Sequence, residues 1–123
     1  MFNLGDVIRF VSIEAGKVKY HLCISLDGHY LFMNSPKVIS YPGDYFIPCS
    51  EVPFLPPTPS GQSIISCTLV MQKSDTDLKR CGAKKLGSIS LDTLRGLVRF
   101  VKESAVLTDD EKDIFYNATG DWI

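Results

Sequence analysis

The chain has 123 residues, 45% of them hydrophobic and 22% charged, with a formal net charge of −1. That length can bury a core without disulfide or metal staples, and the composition excludes a disordered chain. The near-zero charge excludes a binder coated all over in lysine and arginine, so a nucleic-acid partner would have to use a local patch.

The first half is written in strands. GDVIRFVSI is a β-branched and aromatic run that begins at a turn glycine, EAGK supplies a turn, and VKYHLCISL follows before Asp27-Gly28, a frequent hairpin dipeptide. HYLFMNS completes a three-strand antiparallel meander. In the second strand side chains alternate between faces, so Lys19, His21, Cys23 and Ser25 line one side while Tyr20, Leu22 and Ile24 line the other.

All seven prolines fall between Ser35 and Gly61. They confine any strand there, such as DYFIP, to an edge, and PFLPPTPSG reads as a rigid surface loop. SIISCTLVM returns as a long buried strand, and the polar stretch QKSDTDLK as a turn. The period then changes: Ser90 caps a helix that places Leu91, Leu94, Leu97, Val98 and Val101 on one face, with Asp92 in the first turn. Thr108-Asp109-Asp110-Glu111 has capping-box spacing and opens a second helix that Gly120 ends. The chain therefore reads as one domain over residues 1–123, a barrel at about 4–75, a main helix at about 91–103 and a short helix at about 109–118. The class is mainly β with C-terminal helices (α+β), a strongly bent antiparallel barrel closed by an amphipathic helix.

The four cysteines are evenly spread with no C-x-x-C pair, so no metal site and no cofactor is expected. They read as small buried hydrophobes. The start MFNLGDVIRF lacks signal-peptide features, and no apolar stretch approaches the roughly 18 residues of a membrane span. A cytoplasmic protein with reduced thiols is the expectation. The basic run KRCGAKK and the acidic run DDEKD read as solvated segments.

Four landmarks resemble the MazF/PemK-like toxins of bacterial toxin–antitoxin systems. GDVIRF is similar to the family's opening G-D-[IV] strand, and KYHLCIS falls at its R-P-x-[LV]-[VI]-[LIV]-S strand. SIISCTLVM falls at a strand with a central Cys or Asp, and LGSISLDTLRGLVRFV resembles the closing G-x-L-S with its amphipathic helix. The resemblance implies an SH3-like barrel, a homodimer, a cognate antitoxin that blocks the groove, and metal-independent cleavage of single-stranded RNA. The chain departs from the pattern in three places. Lys19 stands for the usual arginine, Tyr20 for the following proline, and Ser66-Cys67-Thr68 for an R-C-D triplet.

Such cleavage needs a base for the 2′-hydroxyl, a donor for the leaving oxygen, and positive charge on the phosphate. On this resemblance Lys19, His21 and Ser35 are the expected catalytic residues, with His21 as proton carrier because imidazole titrates near neutral pH. Arg9, Asn34 and Thr68 are the expected substrate contacts, Tyr41 and Tyr45 a base-stacking platform, and His29 a secondary candidate beside the hairpin turn. The alternative is an SH3-like binding module that recognises protein or nucleic acid without cutting it. A serine or cysteine hydrolase is a remote third reading, since there is no G-x-S-x-G elbow and no cysteine next in sequence to a histidine with an acidic orienter.

Overall fold

A computed structural model describes residues 2–12, 16–34 and 41–120. Six strands, β1 (Asp6–Ser12), β2 (Lys17–Ser25), β3 (His29–Asn34), β4 (Asp44–Pro48), β5 (Gln62–Gln72) and β6 (Lys84–Ser88), form one antiparallel sheet in the order β4-β5-β3-β2-β1-β6. Three helices accompany it: α1 (Asp75–Arg80), α2 (Leu91–Glu103) and α3 (Asp109–Thr119). The α+β class expected from the sequence is present. The sheet is open, with β4 and β6 as its edges, rather than closed into a barrel.

The hairpin between β2 and β3 turns at Gly28, whose φ of +84° suits glycine, and a Cβ there would come within 2.5 Å of the Lys73 carbonyl oxygen. The same close approach lets the Lys73 N–H donate to the Gly28 carbonyl (2.9 Å), which ties the turn to the end of β5. At the other end, Asp6 is buried yet fully engaged. It accepts from the Asn3 N–H (2.9 Å) and the Ser88 hydroxyl (3.0 Å), and pairs with Lys85 (3.2 Å), which fixes β6 beside β1.

One sheet face is covered by α2 and α3. Val7, Leu22, Ile24, Leu31, Met33, Ile65 and Cys67 pack there against Leu94, Leu97, Val98, Val101 and Phe115. Each such aliphatic side chain contributes about 1.5–3 kcal/mol when fully buried. The Ser90 hydroxyl caps α2 by accepting from the Thr93 N–H (3.1 Å), and the four inward positions lie at three- and four-residue spacing. Leu91, expected on that inward face, is instead 47% exposed at the first position of α2.

The capping box of α3 forms as the sequence predicts, and it has a second use. Glu111 accepts from the Thr108 N–H (3.1 Å) through one oxygen and from the Val70 N–H (2.7 Å) through the other, so the box also fastens α3 to β5. Burial raises the Glu111 carboxyl, but the donors from Val70 and Thr108 outweigh it and hold it below its ordinary value.

The opposite sheet face has its own core, where Ile8, Phe10, Cys23 and Tyr30 pack with Phe2 and with Leu78 of α1. The stretch expected as a polar turn contains this helix. Ser74 caps it by accepting from the Asp77 N–H (3.1 Å), and Leu78 is the one buried residue in its six. The basic run is likewise structured in part: Lys79 and Arg80 end α1, and Lys84 and Lys85 begin β6.

Candidate functional site

The alternation of β2 places Lys19 and His21 on the α1 side of the sheet. His21 lies in register with Ile8 on β1 and Phe32 on β3, and Phe32 with Ser66 on β5. Around the imidazole, the Phe10 ring is 4.7 Å away and the Phe32 ring 5.6 Å, both edge-on, with Tyr30 at 6.2 Å. Two cations crown this aromatic cluster. The Lys19 ammonium sits 5.3 Å from the Phe32 ring centre and the Lys73 ammonium 5.2 Å from that of Phe10, distances at which the ring quadrupole attracts a cation.

This geometry corrects the expected role of His21. The residue is 2% exposed and its Nδ1 has no hydrogen-bond partner. Burial, then the neighbouring Lys73 and Lys19, push its pKa down from 6.5 to about 3. A neutral, sequestered ring reaches no 2′-hydroxyl, so His21 is not placed to carry protons for RNA cleavage. Beside it, Phe2 and Leu78, with Cys81 and Ala83, pack over Ile8, Phe10, Cys23 and Tyr30 on the same face.

The other expected site residues divide. Lys19 is half-buried on the aromatic face. Thr68 is exposed there, and its hydroxyl lies 3.1 Å from that of Ser66, one strand over from Phe32. Asn34 continues β3 two residues beyond Phe32, in register with Ile64. Arg9 is out of phase: it lies in register with Tyr20, whose ring packs with the helix-side core, so Arg9 belongs to the opposite face and is removed from the site. Ser35 lies outside the described residues.

Of the tyrosine platform, Tyr41 is exposed, but the Tyr45 ring packs on Phe100 of α2 at 5.1 Å, and Gly96 leaves room for its hydroxyl. Tyr45 is therefore a packing residue.

The thiols divide by burial. Cys23 and Cys67 are buried, and burial pushes their pKa values up to about 11 and about 12, so both stay as unreactive thiols at neutral pH. Cys49 and Cys81 are half-buried. Among the described residues no three histidine, cysteine or acidic side chains gather where they could hold a metal ion, and no helix is long and apolar enough to cross a membrane.

Two elements of chemistry escaped the sequence reading. Lys73, beyond the end of β5, lies over the Phe10 ring, with its backbone held against Gly28. Ser25 and His29 are paired across the β2–β3 hairpin, with the Ser25 Oγ 2.7 Å from the His29 Nδ1. The spacing S-x-D-G-H around a hairpin turn was the available signal for this pair. No protein-family model, no curated protein and no solved structure matches the chain.

Proposed function

We propose that this protein is a small binding module that holds single-stranded RNA on the Lys19–Phe32 face without cutting it. The observation that carries the reading is the pair of ammonium groups over aromatic rings, Lys19 on Phe32 and Lys73 on Phe10. Lysines neutralise backbone phosphates, and a half-exposed ring such as Phe32 offers a stacking surface that any base can use, at about 1–3 kcal/mol per base. The Ser66–Thr68 hydroxyl pair supplies hydrogen-bonding groups on the same face. On this reading the strands amount to an SH3-like module working in the cytoplasm.

The ribonuclease toxin, with its homodimer and antitoxin, is the second reading. The four sequence landmarks favour it, and so does the coincidence of Lys19 with the family's arginine position. It requires a proton carrier other than His21.

Fluorescence anisotropy with a short labelled oligouridylate tests the proposal. Two lysine–phosphate contacts give a slope of log K against log salt of about −1.4, and Lys19→Ala or Lys73→Ala each removes about 0.7 of it. The RNA stays intact in EDTA. Absence of salt-dependent binding sinks the module; cleavage that Lys19→Ala abolishes replaces it with the toxin reading.

A further inference from the structure

A second site lies away from the aromatic face. A cavity of about 610 Å³ opens where the β2–β3 turn meets the segment before β1 and the last turns of α3. Its volume is within the range of about 300–1,000 Å³ usual for small-molecule pockets. A register shift between Cys23 and Ser25 takes Ser25 out of the alternation of β2 and sets it opposite His29, and both line this cavity.

The Ser25 Oγ accepts from the Asp27 N–H (3.2 Å) and lies 2.7 Å from the His29 Nδ1. A hydroxyl has one hydrogen to give and two lone pairs, so in the tautomer that carries the ring hydrogen on Nε2 the Ser25 hydroxyl donates to Nδ1. A hydroxyl donating to an imidazole nitrogen is the arrangement of a serine nucleophile with its base. The rest of the wall suits an acyl substrate. The Asn3 and Asn117 side-chain amides can donate to a carbonyl oxygen as it gains charge, and Leu4 and Ile114 offer an apolar surface to a short acyl chain.

We propose that Ser25, with His29 as its base, accepts an acyl group from small carboxylic esters bound in this cavity. The Ser25 Oγ bonds to the ester carbonyl carbon while its proton passes to the His29 Nδ1. The carbon–oxygen bond to the alcohol breaks, and the alcohol leaves with that proton. Water then adds to the acyl carbon, giving a proton to His29, and the carboxylic acid departs as the proton returns to Ser25. The site is independent of RNA binding on the opposite face.

p-Nitrophenyl butyrate is the probe. The wild-type chain releases a burst of p-nitrophenolate approaching one equivalent, and peptide mapping places one butyryl group on Ser25. His29→Gln slows acylation by about 100-fold or more, as loss of a general base does, and Ser25→Ala abolishes the burst. Ser25 also braces the hairpin turn through the Asp27 N–H, so a Ser25→Ala chain that fails to fold leaves the decision to His29→Gln and to the position of the wild-type adduct. Butyryl groups on lysines or on His29 alone, or His29→Gln acylated at the wild-type rate, overturn the proposal.

Discussion

The two faces of the sheet bury side chains in different ways. Beneath α2 and α3 the core is almost entirely hydrocarbon, and the cover is two helices of 13 and 11 residues. On the other side a helix of six residues packs Leu78 against a mixture that includes Cys23 and Tyr30, and the same face buries His21, whose Nδ1 has no hydrogen-bond partner. The first face holds the larger of the two apolar cores. The second tolerates an uncompensated polar atom, a burden that a core selected for packing alone would shed.

The largest test of this contrast is pH. His21 has a pKa near 3 in the folded protein and 6.5 when unperturbed. Below 6.5 the unfolded chain takes up a proton that the native state refuses. Its share of stability is therefore intact above pH 6.5 and lost as pH falls toward 3, on the order of 5 kcal/mol in full. Urea unfolding from pH 7 to pH 3.5 should show this loss in the wild type as an excess over His21→Leu. Parallel curves for the two proteins would mean that His21 is solvated and the faces are alike.

Next in size, Leu97→Ala empties a fully buried position under α2 and should cost about 3–5 kcal/mol. Leu78→Ala, under the short α1, should cost about 2–3 kcal/mol because the helix can settle onto the gap. Equal costs by chemical denaturation would remove the asymmetry. The smallest effect is the one of opposite sign: at pH 7.5 His21→Leu should raise stability by about 1 kcal/mol, since it replaces an unsatisfied buried nitrogen with hydrocarbon among Phe10, Tyr30 and Phe32. A clear destabilisation would show that the imidazole has a partner, such as a bound water.

Much of the fold was legible because local signals and the tertiary structure agree. The alternation of β2, the Asp27-Gly28 turn, the Ser90 cap and the Thr108–Glu111 box each fix an element from within a few residues. The helix α1 escaped because a single buried leucine leaves no periodicity, and β6 because Lys84 and Lys85 read as charge when their backbone was completing a ladder with β1. The candidate site failed differently. The sharing of one face by Lys19 and His21 followed from strand geometry, but the burial of His21 among rings depends on how β1 and β3 pair beside it and bring up Phe10, Tyr30 and Phe32. Nothing within KYHLCIS specifies what lies on top of it. The Ser25–His29 pair depends on a register shift, which breaks the alternation used to read the strand.

The two strands that border the sheet are both poor templates for another chain. Pro48 ends β4 without an amide hydrogen, and β6 is five residues long with adjacent lysines that repel a second copy of themselves. Growth by zipping strand onto strand is thereby discouraged at either border. Concentrated solutions should resist fibril formation, and self-association, where it occurs, should use the broad surfaces of the molecule rather than extend its hydrogen-bonded ribbon.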